Sequence, residues 1–284
     1  MKRMRLFTIT AIMIIMVFAF VLSSPVFKLK IIQVNFLNAE NKEITFSKNK
    51  VYNTSQKIDS LIDSAGFNYN SLIFLIDKKQ YINKLENKNP YLKLVNISTV
   101  FPNKLIVWAK EREKIFCVKS GINSLIIDSN FKILEISELE SENDLIEIKT
   151  EDRLGETKDY YSFFNILPQT YESGQVLTEN NLIFKAIQDI YVLSSNICLG
   201  LNVKTVLSSI IIKEQSAGKV DLKIETNKTS LGITLQIEDI LQNFKSKYIK
   251  LISALNTLYK NERIKTTYGT LFIDKNHNCY WNNL

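Results

Sequence analysis

One histidine, His277, serves the whole 284-residue chain. Any Ser-His-Asp device would have to use it, and it stands in a polar tail where solvation is its ordinary state. Eight glycines leave little material for phosphate-cradling loops, and no Gly-x-Gly-x-x-Gly, Walker loop, His-Glu-x-x-His or zinc-ligand set occurs. The three cysteines, Cys117, Cys198 and Cys279, are odd in number and far apart, so they draw no disulfide framework and no Cys-x-x-Cys motif. One pair can oxidise in an oxidising compartment, but buried thiols are the expectation. Ser47-to-Lys50 and Ser129-to-Lys132 fit Ser-x-x-Lys, yet no Ser-Asp-Asn or Lys-Thr-Gly accompanies them, and chance spacing explains both. Glu111 and Glu113 occupy alternate positions at a strand end, where solvation accounts for them better than acid-base work. No catalytic, cofactor or metal residue emerges, and the expectation is a protein that binds rather than reacts.

What is present is ordinary globular material, 45% hydrophobic and 23% charged. The net charge of +7 comes from lysines spread along the chain without a basic block, so they read as solvated faces and not as a nucleic-acid footprint. The exception to globularity is the start. After MKRMR (residues 1–5), an uncharged run over 6–24 would extend roughly 28 Å as a helix at about 1.5 Å per residue, close to a bilayer's hydrocarbon thickness. Lys2, Arg3 and Arg5 precede it, which places the amino terminus in the cytoplasm and sends the remainder across a plasma membrane. A cleaved secretory signal is the competing reading, with Val21 and Ser23 as the small residues before a cut. The length of the run favours a retained single-pass anchor.

Beyond Pro25 the pattern becomes that of a small α+β domain over 26–114. VFKLKIIQVNFL, residues 26–37, is a strand with partial alternation through Phe27, Leu29 and Ile31. Ile58, Leu61, Ile62 and Ala65 have helical spacing, and Gly66 stands at the C-cap. Asp77 and Gln80 suggest a capping box for a second helix that presents Tyr81, Ile82 and Leu85 and stops at Asn89-Pro90. A hairpin follows. Val95, Ile97 and Thr99 share a face, Phe101-Pro102-Asn103-Lys104 turns the chain, and Leu105, Val107 and Ala109 alternate with Ile106, Trp108 and Lys110. The order is strand, helix, helix, strand, strand.

That order directly after an anchor resembles a POTRA domain. PYLKLVNISTVFPNKLIVWAKEREKI (90–115), GFNYNSLIFLID (66–77) and LIIDSNFKIL (125–134) are similar to the signature of the FtsQ/DivIB cell-division family. Phe36 departs from it, standing where the family usually has glycine.

From 115 to 284 the sequence predicts a second, mixed α/β domain with a largely antiparallel sheet. KIFCVKS, SLIID and KILEIS suggest a meander. The acidic stretch over 138–159 reads as a loop or peripheral insertion. Leu182, Ile183, Ala186, Ile187, Ile190 and Leu193 form a helical stripe with Thr178 as N-cap. TVLSSIIIKE and KVDLKIET are strands, followed by a Leu231-Gly232 corner and the strand ITLQI. Ile237 to Tyr259 is the longest helical period, with Glu238 and Asp239 at its positive end. Near the terminus Leu271 and Ile273 alternate with Phe272 and Asp274 in a strand expected at a sheet edge, where unpaired backbone groups template strand addition.

The family resemblance implies a non-catalytic scaffold at the division septum, bulk of the chain outside the cytoplasm, that recruits FtsB/FtsL-type coiled-coil proteins by β-strand addition. It implies no cofactor, nucleic acid or small-molecule substrate, and it matches Phe272, Asp274 and Trp281 to the terminal partner-binding strand and the aromatic beyond it. The alternative is a POTRA protein of polypeptide transport or envelope assembly. It is weakened because no series of girdled ten-residue strands follows.

Overall fold

The computed structural model describes residues 10–17, 19–20, 24–38, 41–44, 55–120, 123–137, 145–158, 171–177, 181–194, 203–215, 219–227, 232–260 and 268–283. The chain divides into two compact units, Met1–Arg112 and Glu113–Leu284. Residues 10–17 and 19–20 are helical, and Ile14 and Phe20 there are 63% and 80% exposed. Among the described residues no helix is long and apolar enough to cross a membrane, and the remainder of the 6–24 run lies outside them.

In the first unit β1 (Ile31–Leu37), β2 (Glu43–Ile44), β3 (Leu92–Val100) and β4 (Lys104–Glu111) form a sheet of order β2-β1-β4-β3. β1 runs parallel to β4, and β3 pairs antiparallel with it. Helices α1 (Ser55–Ala65) and α2 (Lys78–Lys88) join β2 to β3. α1 buries Leu61, Ile62 and Ala65 and ends at Gly66, whose φ of +62° suits a residue without Cβ. Asp77 caps α2 by accepting from the N–H groups of Lys79 and Gln80, and Tyr81 and Leu85 point inward. Leu105, Val107 and Ala109 of β4 complete the core from the sheet, with Phe36 of β1 among them. The residue that departs from the family pattern is thus a core aromatic.

Two details differ from the sequence reading. β1 starts at Ile31 rather than Val26, because Pro25–Phe27 form a 3-10 turn and Lys28 bridges to Leu72 instead of entering the sheet. Ile31 is therefore 52% exposed although Leu29 is buried. In β3 the register shifts between Leu94 and Asn96. This bulge throws Val95 outward, 47% exposed, so it does not share the buried face of Ile97.

Among the described residues of the second unit the strands form one ten-stranded sheet of order β14-β13-β12-β11-β10-β8-β5-β6-β7, with β9 beside β8. Its strands are β5 (Phe116–Ser120), β6 (Asn123–Ile127), β7 (Ile133–Ser137), β8 (Ile146–Glu151), β9 (Thr157–Lys158), β10 (Leu207–Glu214), β11 (Val220–Thr226), β12 (Thr234–Ile237), β13 (Gly269–Ile273) and β14 (Cys279–Asn283). Three neighbouring pairs are parallel, β5 with β8, β8 with β10 and β12 with β13. Helices α3 (Asn181–Ser194), α4 (Val203–Val206) and α5 (Phe244–Lys260) complete the unit. Ile187 and Ile190 of α3 and Tyr248 and Leu251 of α5 share one apolar cluster with Ile148, Ile210, Ile224 and Leu235 of the sheet.

The acidic stretch expected to be peripheral contains a central strand. Ile146, Ile148 and Thr150 of β8 point into the core, while Glu147, Lys149 and Glu151 alternate outward. There Glu147 bridges Lys119 and Lys149 at 3.2 and 3.1 Å. The charges conceal a period of two. Residues 138–144 and 159 lie outside the described residues, as do Thr178, Leu231, Cys198 and Ser47-to-Lys50. In α3, Leu182 is 59% exposed and Phe184 takes the inward place. The long helix begins at Phe244 and not at Ile237, which ends β12. Asp239 and Asn243 have φ of +48° and +53° and break the period.

Candidate functional site at the terminal sheet edge

The chain end is a hairpin. β13 is paired on both sides, parallel to β12 and antiparallel to β14, so the expected edge position of 269–273 is corrected and β14 borders the sheet. The turn explains this. One carboxylate oxygen of Asp274 accepts from the N–H groups of Asn276 and Asn278 at 2.9 and 2.8 Å. The other accepts from Asn278 Nδ2 at 3.2 Å and the Tyr280 hydroxyl at 3.3 Å. The N–H of Asp274 donates to Asn278 O, and the N–H of His277 donates to Asp274 O. His277 adopts φ +66°, so the connection is a short loop closed by a residue in the left-handed region. These donors, the Asn278 N–H foremost, hold the Asp274 carboxyl below its ordinary pKa. The lone histidine is a turn residue.

Register places Phe272 opposite Tyr280 and Leu271 opposite Trp281. Because side chains alternate, the two pairs lie on opposite faces. Phe272 and Tyr280 stack with centroids 6.1 Å apart, and Tyr280 is 48% exposed. Trp281 packs on the apolar cluster, its ring lying over Gly269. A Cβ on Gly269 would come within 2.5 Å of Trp281 Cζ2 and 2.7 Å of Asn282 O. Of the three residues singled out from sequence, Phe272 and Asp274 therefore come together, and Trp281 turns away to prop the strand from below. Tyr280 was missed. The turn-rich DKNHN followed by CYWNN was the available signal for a second strand.

Two other borders, those of β7 and β3, are covered. Along β7, Ile133 N–H donates to Gln175 O, Gly174 N–H to Ile133 O, and Ser173 Oγ to Leu134 O, so 171–177 straps that side. In the first unit, the bulged β3 is plugged by side chains. Leu94 N–H donates to Glu86 Oε1 at 2.6 Å, Arg112 Nε donates to Leu92 O at 3.0 Å, and Arg112 and Glu86 bridge at 3.2 Å. β2 has only two residues. Among the described residues no comparable strap or plug runs along β14.

The remaining motifs have local roles. Ser129 O accepts from Gln188 Nε2, and Lys132, buried, donates its N–H to Asp128. Glu113 bridges Lys204 at 2.9 Å. Among the described residues no group of ligating side chains is arranged to hold a metal ion, and no disulfide joins Cys117 and Cys279.

Comparison with known proteins agrees with this architecture. A family model described as POTRA domain, FtsQ-type, matches residues 42–112, so the first unit contains a POTRA domain, and β1 adds a parallel strand ahead of the matched span. A cell division protein DivIB of Clostridium acetobutylicum is 29% identical over 121 residues, 43% of this chain and 44% of that protein. A DivIB of Clostridium botulinum strain Loch Maree is 27% identical over 188 residues, 58% of this chain and 72% of that protein. Another, of strain Hall, is 37% identical over 73 residues, 26% of this chain and 28% of that protein. These matches support the FtsQ/DivIB family: an FtsQ-type POTRA domain and partial similarity to DivIB cell division proteins. The chain's match to the first of these relatives spans under half of that protein's length.

Proposed function

We propose that the chain is a non-catalytic, single-pass membrane scaffold of the bacterial division machinery. Residues 6–24 cross the plasma membrane with the amino terminus in the cytoplasm, and both units act on the far side at the septum. FtsB/FtsL-type partners add a strand to β14. The observation that carries this reading is the β14 border, held by the Asp274 turn and, among the described residues, not strapped as β7 is. A border strand lends its backbone N–H and C=O groups to an extended segment. The stacked Phe272 and Tyr280 beside it offer an aromatic anchor of the kind that dominates interface energetics.

The test has two parts. A fluorescent fusion should form a midcell band, and depletion should give filaments without constrictions. Uniform envelope fluorescence removes the division role, and loss of outer-membrane proteins on depletion would favour transport. At the edge itself, Phe272→Glu should abolish co-purification with the partner. The ring pair is worth about 0.5–1.5 kcal/mol, so Tm should fall by no more than roughly 5 °C. Retained binding in that variant would exclude the aromatic anchor.

A further inference from the structure

The first unit carries an aromatic cluster at the end where the chain leaves the apolar run. Ser24 accepts from the N–H of Val26 to start the 3-10 turn. Leu29 N–H then donates to Ser71 O at 2.9 Å, and the N–H groups of Lys30 and Ile31 both donate to Asn103 O, at 2.9 and 3.2 Å. These bonds gather residues 25–31, the 3-10 turn Ile73–Leu75 and the β3–β4 hairpin tip at one place. There Phe27 meets Phe74 and Phe101 edge to face, each with centroids 6.5 Å apart.

This cluster is not core. Phe101 is 61% exposed, Leu75 71%, Val26 52% and Phe74 38%, and none of the four belongs to the buried cluster of the unit. Contiguous exposed apolar surface of this kind marks a docking or membrane surface. The same three stretches supply Lys28, Lys30 and Lys104. Within 24–38, 69–77 and 98–106 the one carboxylate is Asp77, engaged as the cap of α2; from α1, Asp59 and Asp63 line a hollow with Lys30, Ile31 and Tyr69.

We propose that this end is a membrane seat. Phe27, Phe74, Leu75 and Phe101 enter the boundary between headgroups and acyl chains, and Lys28, Lys30 and Lys104 face anionic headgroups. Two observations select a lipid surface over a second copy or a partner protein. The patch follows within a few residues of the apolar run, and the three stretches that build it bring three lysines against the single capping carboxylate Asp77, as suits aromatic belts and anionic lipid. The inference rests on the reading of 6–24 as the anchor. Its consequence is that the POTRA unit is held in a fixed attitude on the bilayer instead of swinging from a tether.

The test uses the full chain reconstituted in vesicles of phosphatidylethanolamine and phosphatidylglycerol, with and without brominated acyl chains. Phe101→Trp places an indole at the hairpin tip, and the wild-type spectrum subtracts Trp108 and Trp281. Brominated lipid should quench most of the introduced emission. Adding Val26→Asp and Leu75→Asp, both at exposed positions, should abolish the quenching with an unchanged circular dichroism spectrum. Carbonate extraction reports the anchor separately. An unquenched indole in carbonate-resistant protein overturns the seat and leaves the anchor intact, whereas release by carbonate overturns the anchor reading. Absence of quenching overturns the seat whatever the extraction gives. So does shielding of the indole from aqueous iodide that grows with protein density and is indifferent to bromine, the signature of self-association.

Discussion

Asp274 joins the last two strands through four hydrogen bonds. Because these bonds favour the ionised form, its folded pKa is depressed. The stabilisation is complete above the unfolded carboxylate value of about 4 and is lost as pH falls through the lower folded value. The protection of β14 amides, measured against their intrinsic exchange rates, should therefore fall below about pH 4, and Asp274→Asn should remove that acid dependence. An identical acid profile in the variant would show that another group governs the hairpin. In the first unit Val107 is wholly buried. Val107→Asp puts an unpaired charge in a small core and should destabilise by about 3 kcal/mol or more. A melt within a degree or two of wild type would refute that burial.

Lys247 shows how an element start is fixed from outside the helix. It lies in the first turn of α5, where a cation opposes the helix dipole, yet it is 2% exposed. Its Nζ donates to Glu238 O and Asp239 O, each at 2.8 Å. Burial lowers its pKa, opposed by Asp239, Glu238, Asp221 and Asp274. Lys247→Met would leave two carbonyls without that donor and should cost about 2–4 kcal/mol, lowering Tm by roughly 5–10 °C. An unchanged melt would mean that water replaces the ammonium. Sequence could not supply this cap, because the residues it links are near in sequence but joined through two positive-φ positions, Asp239 and Asn243. It did supply α1, α2 and the alternation of β4, where period and caps agree. It missed β8, where two isoleucines stand in a run of charge, and it missed β14, whose half-exposed CYWNN carries no alternating apolar signal. The edge was therefore legible as a principle while its strand was misplaced by one.

At the scale of the molecule, the two units divide roles. The POTRA sheet has its bulged border occupied by Glu86 and Arg112 and displays its apolar surface elsewhere, at the aromatic end. The large sheet has helices over one face and charged pairs such as Glu147 with Lys119 on the other. Its terminal strand β14 borders the sheet and is the place proposed above for a guest.

The strap of residues 171–177 along β7 gives the large sheet a polarity of growth. Under the proposed strand addition a guest has a single end to join, because the opposite border is already occupied. If β14 takes a strand as proposed, such an architecture works as a chain stopper: it accepts one addition per molecule and denies the head-to-tail propagation that turns bare sheets into fibres.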